Sequence, residues 1–520
     1  MQSTAARQSD NAWSAKYFAI AIGAIMGLFA VQHWLSFLYA KSARKTLDTT
    51  VYGLHLGRCA LHILYWAISL ILLLTNVDLG NLNYVGKRLG WLTLANLTLL
   101  TFLALRHTPL APLSGKSYEK LRPLHKSAGY TTIVLMILHA AIYLTGWSRK
   151  GNLYKMSELR NASGAVAGVA MLVIGVSTLR YVFRGSYEVF YAIHILMFIL
   201  IMIMVGLHRP RISKEAIIIV LVTASFWFLD RLLRLCRLIW FSVGNKATIT
   251  PLPGAVRIRL SRNVPCQPGS HVFLWVPAVR AFETHPFTIA TSTGSGLSSS
   301  PEFVIRPYDG FTRDLYSLAV RKPGLSLRCS VDGGYGHIPD FMRFDRILLV
   351  AGGSGATFTF AIALGLLERL KGGSEEKRID FVWVIRSLDC IQWFEAELAK
   401  LNESSLVNVC IYVTRDAASS EEAPGLPATA TVCTSDMELG MYKTAAPQVT
   451  PDYDEKFTIK RRRPDIAALV KETISDCSPE DKVGLGGCGP VEMIAGLRKG
   501  VREAKVDGPS VTLHTEEFMW

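Results

Sequence analysis

Long apolar runs fill the first half of this 520-residue chain, and they constrain its fold more than any other feature. Each run is close to the roughly 20 residues that an α-helix needs to cross a bilayer, at about 1.5 Å of rise per residue. The seven runs lie near residues 17–40, 59–75, 89–105, 128–146, 164–182, 188–207 and 215–229. The first run is longer than the apolar segment of a cleaved signal peptide, so we expect it to be a retained anchor. The pattern therefore predicts a bundle of seven transmembrane helices.

The second half of the chain has the pattern of a soluble α/β protein. From about residue 246, short β-branched runs punctuated by Gly and Pro alternate with helical stretches. Residues 417–450 interrupt this pattern with Ala, Ser, Thr and Pro and no periodicity, which predicts a flexible surface insertion. Nine cysteines without a C-x-x-C spacing give no support to a zinc site or a disulfide framework.

Basic residues predict both an orientation and a class of partner. Lys and Arg concentrate around residues 41–58, 116–126, 180–184 and 231–237, and the positive-inside rule places these segments in the cytosol. The N-terminus then lies outside, and the second half lies in the cytosol. The net charge of +15 is spread over these segments and the second half. That distribution favours lipid headgroups and an anionic nucleotide over a nucleic-acid groove.

Two of the apolar runs carry histidine pairs with the same spacing. His125 and His139 are fourteen residues apart, and so are His194 and His208. Fourteen steps of a helix return to within about 40° of the starting face and climb about 21 Å. Each helix therefore presents two imidazoles on one side at two depths. Because the fourth and sixth spans run in parallel, His125 lies at the same depth in the membrane as His194, and His139 at the same depth as His208. Two neutral imidazoles at one depth can hold an iron between them. The spacing predicts two stacked b-type haems.

The competing interpretation is a membrane histidine that only forms a hydrogen bond inside the bundle. Two equal spacings on parallel helices argue against it for the four paired residues. It remains our interpretation of the histidines that lack such a counterpart, which are His33, His55, His62 and His107.

The soluble half contains a motif that indicates a flavin. HPFT at 285–288 follows QPGSHVFLWVP at 267–277 and precedes a glycine-rich loop. It resembles the flavin motif of the ferric reductase and NADPH oxidase superfamily, in which a β-barrel similar to that of ferredoxin-NADP reductase holds FAD. An aromatic ring can pack on the flavin or adenine, and a hydroxyl can reach a ring nitrogen. The resemblance implies FAD contacts from His285, Pro286, Phe287 and Thr288, with Thr288 at the reacting atoms.

Two further stretches extend this resemblance. Arg306 and Thr312, in VIRPYDGFT, match a second family motif near the flavin diphosphate. A guanidinium suits a diphosphate because it donates two parallel hydrogen bonds; an ordinary surface strand is the alternative. VDGGYG at 331–336 resembles the family's GPYG-type turn, but Gly334 stands where proline is usual.

Two glycine-rich turns predict a nucleotide site. RILLVAGGSGATFTFAIAL runs from a hydrophobic strand at residue 346 into a helix, and glycines at a helix start let backbone N–H groups approach a pyrophosphate. GLGGCGP at 484–490 follows a second strand, and the two resemble the paired nucleotide-binding motifs of the same superfamily. The implied contact residues are Gly352, Gly353, Gly355, Thr357, Gly487, Cys488 and Gly489.

The resemblance also assigns roles around the nicotinamide and the ribose phosphate. It implies that Cys488 lies beside the nicotinamide and that Trp520 covers the flavin until the nicotinamide displaces it; both join Thr288 as catalytic candidates. Arg386, in WVIRS, and Arg463, in RRRPD, match positions where the family places positive charge against the 2′-phosphate, which implies NADPH. Which arginine of the RRRPD run contacts the 2′-phosphate is left open. The alternative interpretation is a solvated basic run that contacts no ligand.

The resemblance covers about residues 57–520 and is closest to the fungal ferric-chelate reductases, notably in SYEKLRPLHKSAGY at 117–130. It implies a multidomain membrane protein in which a transmembrane bundle precedes a ferredoxin-NADP-reductase-like module. The expected domains are an extracellular segment at 1–16, a bis-haem bundle at 17–245, an antiparallel FAD-binding β-barrel at 246–343 and an NADPH-binding α/β domain at 344–520.

The implied activity is electron transfer from cytosolic NADPH through FAD and two haems to ferric chelates, siderophores or cupric ions outside the plasma membrane. The basic outer loop at 147–163 would attract anionic chelates. Membrane lipid is the expected environment, a functional link to an iron permease is expected, nucleic acid is not a partner, and the oligomeric state is left open. One alternative is an NADPH oxidase that makes superoxide. Another, of a different class, is a non-enzymatic transporter or receptor with a nucleotide-sensing domain.

Overall fold

The computed structural model describes most of the chain, and it divides into two compact units, Met1–Cys236 and Arg237–Trp520. The described residues are 4–38, 50–51, 54–108, 118–179, 187–208, 214–267, 269–293, 300–336, 338–371, 377–415, 453, 457–504 and 508–516. The predicted insertion at 417–450 and the predicted flavin cover, Trp520, lie outside these residues.

Helices occur at all seven predicted apolar runs. They are α1 Thr4–Leu38, α2 Leu56–Leu74, α3 Leu82–Ala104, α4 Arg122–Arg149, α5 Leu159–Ser177, α6 Tyr187–His208 and α7 Lys214–Ser242. Strands β1 Thr50–Val51 and β2 Leu54–His55 pair before α2. Among the helices that the structure describes, α4 to α7 are long and apolar enough to cross a membrane. A transmembrane region is therefore present, and the count of seven spans stays a prediction.

Two helix pairs dominate the packing of the bundle: α3 lies against α4, and α5 lies against α6. Close approach of membrane helices depends on small residues at the contact, and both pairs use glycine, at Gly90 in α3 and Gly164 in α5. Helix α4 has Pro123 in its first turn, where the missing N–H leaves no hydrogen bond unmade. The pairing matters because α4 and α6 carry the predicted ligands.

The second unit begins with two antiparallel sheets and one helix, which we call the flavin lobe. Its elements are β3 Lys246–Leu252, β4 Ala255–Leu260, β5 His271–Trp275, β6 His285–Thr288, β7 Thr291–Thr293, β8 Ser300–Ile305, α8 Phe311–Arg321, β9 Ser326–Arg328 and β10 Ser330–Tyr335. One sheet has the order β7-β8-β4-β3-β9 and the other the order β10-β5-β6. Their shared core includes Ile249, Ile258 and Phe303, which are fully buried.

The remaining elements form a parallel α/β domain, which we call the nucleotide lobe. They are β11 Arg346–Gly352, α9 Ala356–Leu370, β12 Arg378–Ile385, α10 Glu395–Asn402, β13 Val407–Val413, β14 Thr458–Lys460, α11 Ile466–Ser475, β15 Lys482–Cys488, α12 Val491–Glu503 and β16 Ser510–Glu516. The strand order is β14-β13-β12-β11-β15-β16. Strands β11 and β12 are apolar almost throughout because both faces of the sheet are covered. The predicted fold class is confirmed: a helical membrane region followed by an antiparallel β-domain and a parallel α/β domain.

Candidate functional site

The structure brings the four predicted histidines together in two pairs. The ring centres of His125 and His194 are 6.4 Å apart with the planes at 49°, and those of His139 and His208 are 6.1 Å apart at 85°. Two imidazoles whose nitrogens each bind one metal at about 2.0 Å place their ring centres about 6 Å apart. Both pairs therefore have the separation that an iron between them requires. His107, outside the pairs, is hydrogen-bonded to Asp230.

Backbone carbonyls orient three of these rings. The Nδ1 atoms of His125, His139 and His208 lie 3.1, 2.7 and 2.7 Å from the carbonyl oxygens of Leu100, Gly86 and Arg160. A carbonyl oxygen only accepts, so each Nδ1 carries the hydrogen and donates it. That tautomer leaves Nε2 with its lone pair free for a metal. The Nδ1 of His194 is buried without a hydrogen-bond partner among the described residues.

Glycines make room for the imidazoles of His139 and His208. A Cβ added at Gly90 would lie 2.9 Å from Cε1 of His139, and one added at Gly164 would lie 2.5 Å from Cε1 of His208. Both distances are shorter than real Cβ contacts. Our sequence reasoning missed these glycines; the available signal was a small residue inside an apolar run.

A second feature that sequence reasoning missed lies next to the pair His125 and His194. Tyr191 is one helical turn before His194, and Nη1 of Arg231 donates to its hydroxyl at 2.8 Å. The Arg231 guanidinium also lies over the Trp227 ring, 5.3 Å from its centre. Its Nε is buried without a hydrogen-bond partner among the described residues. A guanidinium whose Nε–H is a spare donor suits a carboxylate, and the haem edge carries two propionates.

The flavin motif occupies one strand. HPFT is the whole of β6, and its register with β5 places Thr288 opposite His271. The His285 ring stacks on Phe311 with centres 4.4 Å apart and planes at 18°, and Phe287 lies 6.1 Å from the same ring at 29°. The three aromatic rings thus form one packed group at the start of α8. Thr288 itself is buried.

The second flavin motif lies at the junction of β8 and α8. Arg306 directly follows β8, and its guanidinium lies 5.6 Å from the centre of the Tyr308 ring. Thr312 is in the first turn of α8, and its Oγ1 accepts from the Tyr308 N–H at 2.8 Å. That hydroxyl therefore fixes the turn that follows Arg306. The two predicted residues are held on the same short segment.

The two glycine turns meet at the carboxyl edge of the parallel sheet. Strand β11 ends at Gly352, and its neighbour β15 ends at Cys488. A Cβ at Gly355 would lie 2.7 Å from the carbonyl carbon of Cys488, so the two backbones touch. Trp383 Nε1 donates to the Gly353 carbonyl at 3.0 Å, which fixes the turn before α9. Residues Gly353–Gly355 form a short 3-10 turn that leads into the α9 N-terminus. Such a turn can receive a pyrophosphate.

A row of arginines continues along the same edge. Arg386 follows β12 and Arg463 follows the short strand β14. Between them Arg415 follows β13, and its N–H donates to the Arg386 carbonyl at 3.0 Å. All three side chains are exposed. Sequence reasoning missed Arg415, although a basic residue directly after an apolar strand was the available signal.

Two thiols of the flavin lobe, the half-buried Cys266 and the buried Cys329, are held protonated. Burial raises the pKa of Cys266 to about 11 and the pKa of Cys329 to about 12. The thiolate is the nucleophilic form of cysteine. These two residues therefore act as packing groups and not as reactive thiols.

Comparisons with known proteins identify three consecutive regions. Residues 89–205 match the family "Ferric reductase like transmembrane component", 245–338 match "FAD-binding domain", and 344–502 match "Ferric reductase NAD binding domain". Three of the four predicted histidine ligands, His125, His139 and His194, fall in the first region. HPFT falls in the second region and the glycine turns fall in the third.

Curated relatives include the "Probable cell surface ferric reductase kap2" of Aspergillus oryzae, 28% identical over 60% of this chain and 44% of that protein. The "Ferric reductase transmembrane component 5" of Saccharomyces cerevisiae is 25% identical over 75% of this chain and 55% of that protein. The chain spans about half the length of the curated relatives it matches.

Among solved structures, a ferredoxin NADP+ reductase from Neisseria gonorrhoeae with bound FAD and NADP is similar over 52% of this chain and 97% of that chain, with 15% identity and a TM-score of 0.33.

The resemblance found in the motifs is confirmed by the three matched regions. The chain belongs to the ferric reductase superfamily.

Proposed function

We propose that the chain is an NADPH-dependent ferric-chelate reductase that carries electrons across the plasma membrane. The observation that carries the proposal is the pair of histidine sites, each with the separation of two imidazoles bound to one iron. They occur in the same chain as a flavin motif and a glycine-rich nucleotide edge. The relatives' names, ferric reductase among them, favour a metal acceptor over oxygen.

In this proposal the residues of the bundle hold two haems at two depths. His125 and His194 bind the inner iron through Nε2, and His139 and His208 bind the outer iron. Carbonyl oxygens hold three of the imidazoles in the tautomer that metal binding needs. Arg231, whose buried Nε–H has no partner among the described residues, would hold a propionate of the haem between His125 and His194.

The soluble residues bind and orient the two organic cofactors. Phe287 and Thr288 contact the flavin, Arg306 neutralises its diphosphate, and the glycine turns receive the nucleotide pyrophosphate. When bound, FAD accepts a hydride from the nicotinamide and releases electrons singly, which matches the one-electron haems. The exposed row of Arg386, Arg415 and Arg463 supplies the charge that would select NADPH by its 2′-phosphate.

The proposed orientation places the N-terminus outside and both lobes in the cytosol. It is supported by the distribution of basic residues between the apolar runs and by a relative named as a cell surface reductase. The outer loop, with Arg149, Lys150, Lys155 and Arg160, then attracts anionic ferric chelates, and this attraction weakens as salt is added. Reduced iron outside the cell needs a carrier, so a functional link to an iron permease is part of the proposal.

The test is a reduced-minus-oxidised spectrum of membranes given NADPH, with an Fe(II) trap and a superoxide assay in parallel. His139→Ala and His208→Ala should remove the outer haem and Fe(II) formation while NADPH still bleaches the flavin. His62→Gln, outside both pairs, is the matched control and should keep both haems. Full ferric reduction in both variants would contradict the path. Absence of haem absorbance in the parent would favour the non-enzymatic alternative, and superoxide without Fe(II) would favour an oxidase.

A further inference from the structure

One arginine ties the flavin lobe to the nucleotide lobe. Arg257 lies on β4, and Nη1 donates to Oε2 of Glu302 on β8 at 3.2 Å within the flavin lobe. The same guanidinium reaches across to Glu397 on α10, with Nη1–Oε1 at 3.2 Å and Nη2–Oε2 at 3.4 Å. Nη2 also donates to the carbonyl oxygen of Trp393 at 2.6 Å. One side chain thus makes three hydrogen bonds to the opposite lobe.

A second hydrogen bond crosses the boundary between the two lobes, which we call the seam, and it is donated in the opposite direction. Nε1 of Trp393 donates to the carbonyl oxygen of Pro253 at 2.6 Å, in the turn between β3 and β4. Hydrogen bonds thus cross the seam in both directions, and each lobe contributes two residues to them. Such an arrangement restricts the angle between the lobes as well as their separation. A single contact would leave the lobes free to rotate about it.

Both carboxylates that Arg257 contacts are buried, while its own side chain is 21% exposed. Glu302 is 2% exposed and Glu397 is 6% exposed. Ala255, Ala290 and Val304 of the flavin lobe belong to the same buried cluster as the core of the nucleotide lobe. A hydrogen bond to a buried carboxylate is electrostatically stronger than one on the surface, so its geometry is held more firmly.

The ion pairs at this seam are expected to contribute little net stability. Burying a charged pair costs desolvation free energy that largely offsets the attraction, so apolar residues often replace such a pair without loss. The ion pairs instead fix the orientation of one lobe relative to the other. The arginine fork accepts only one arrangement of the two carboxylates.

The seam also lies close in sequence to both cofactor-binding segments. Strand β8 runs from Glu302 directly to Arg306, the arginine proposed for the flavin diphosphate. Trp393 and Glu397 follow Arg386, the arginine proposed for the nucleotide 2′-phosphate. The bonds of Arg257 therefore join the strand that leads to one cofactor with the segment that follows the contact to the other.

We propose that Arg257 is a positioning residue that sets the distance and angle between nicotinamide and flavin for hydride transfer. The inference rests on the proposed function, because it concerns the step in which a hydride leaves nicotinamide C4 for flavin N5. That step moves two electrons and one proton: NADPH is oxidised to NADP⁺ and FAD is reduced to FADH⁻. Arg257 touches neither reactant; it acts by holding Glu397 and Trp393 against the flavin lobe.

The test uses the full-length protein in detergent and the variant Glu397→Gln, which leaves the contact of Arg257 with Glu302 in place. Arg259→Met is the matched control. Arg259 shares Glu302 at 2.7 Å but has no ion pair with the nucleotide lobe among the described residues. Stopped-flow bleaching of the flavin at saturating NADPH measures hydride transfer. NADPH deuterated at C4 gives the isotope effect, and FAD content and thermal unfolding are recorded for each protein.

We expect flavin reduction in Glu397→Gln to fall about tenfold with a larger isotope effect, since displacements near 1 Å can cost about a hundredfold. The KM for NADPH, the FAD content and the midpoint of unfolding should stay near those of the parent, and Arg259→Met should reduce flavin at the parent rate. Arg257→Lys should recover part of the rate lost in Arg257→Met.

An unchanged rate in Glu397→Gln would overturn the inference, as would a loss matched by Arg259→Met or one that follows loss of FAD. Failure of the proposed function gives a different result, since the unaltered protein would then show no flavin reduction by NADPH.

Discussion

Replacing Gly164 by alanine tests whether His208 must hold its present position to bind an iron. Gly164 lies in α5 and faces the His208 ring on α6, with the position of an added Cβ 2.5 Å from Cε1. Ordinary contact begins at 3.4 Å. The imidazole or the helix would therefore have to move by about 1 Å, which is half of a metal–nitrogen bond of about 2.0 Å.

The cost to folding should be small while the cost to the site is large. Alanine is favoured over glycine in a helix by about 1 kcal/mol. Overpacking a tight contact costs about 1–3 kcal/mol. These opposing terms leave a net loss of at most about 2 kcal/mol, so the protein should still fold. Movement of either the ring or the helix changes the bond of 2.7 Å that the His208 Nδ1 donates to the Arg160 carbonyl, since Arg160 and Gly164 lie on the same helix. The outer iron would then lose one ligand.

The assay is a reductive titration of purified protein followed at the haem bands. We expect Gly164→Ala to lose the outer haem, or to convert it to a five-coordinate spectrum, and to retain the inner one. Gly168→Ala is the control one helical turn away, since its Cβ would meet only the flexible Met136 Sδ at 3.3 Å. Gly146→Ala is a second control, because nothing lies within 4 Å of its Cβ. Two intact six-coordinate haems in Gly164→Ala would refute the argument that His208 is an iron ligand fixed by this contact.

The remaining predictions concern the soluble lobes. Arg386→Ala and Arg415→Ala should each raise the KM for NADPH about tenfold, since a charge-assisted hydrogen bond contributes about 1.5–3 kcal/mol. The KM for NADH should change little, and equal effects on the two nucleotides would argue against a 2′-phosphate contact. The pKa values of about 11 for Cys266 and about 12 for Cys329 mean that both thiols stay protonated at pH 8. Iodoacetamide should spare them in the folded protein and label the exposed Cys236, with mass spectrometry as the readout; equal labelling would show that the flavin lobe is open.

The sequence was sufficient for features that repeat over a short distance. The fourteen-residue spacing of His125 and His139, repeated in His194 and His208, follows from helical geometry alone. The glycine turns are equally local, since a strand, a turn and a helix are consecutive in the chain. These features depend on residues within one or two elements, so a single sequence contains enough information to find them.

The features that were missed depend on residues that are distant in the chain. The carbonyl that orients His139 is 53 residues away, and Glu397 is 140 residues from Arg257. Such contacts are determined by which helices and strands become neighbours, and hydrophobic periodicity does not specify neighbours. Arg415 is an intermediate case: it follows an apolar strand, but only the order β14-β13-β12 places it between the two predicted arginines.

The structure also explains why the histidine spacing has a counterpart on a neighbouring helix. The carbonyls that orient His125 and His139 belong to Leu100 and Gly86 of α3, which are themselves fourteen residues apart. Helix α3 runs antiparallel to α4, so equal spacings bring both acceptors to both rings. One ligand helix and one acceptor helix thus form a matched unit.

The other helix pair, α5 with α6, has this arrangement for only one of its two histidines. The Arg160 carbonyl orients His208, and by the same spacing the residue fourteen positions later, Ile174, would be the corresponding acceptor for His194. Its carbonyl instead accepts from the Ser177 hydroxyl at 2.7 Å and from the Thr178 N–H at 3.2 Å. This competition accounts for the His194 Nδ1 that lacks a hydrogen-bond partner among the described residues. In the proposed site, the orientation of His194 therefore depends on the iron more than that of the other three histidines, and we expect its ring to be the most mobile of the four in the haem-free protein.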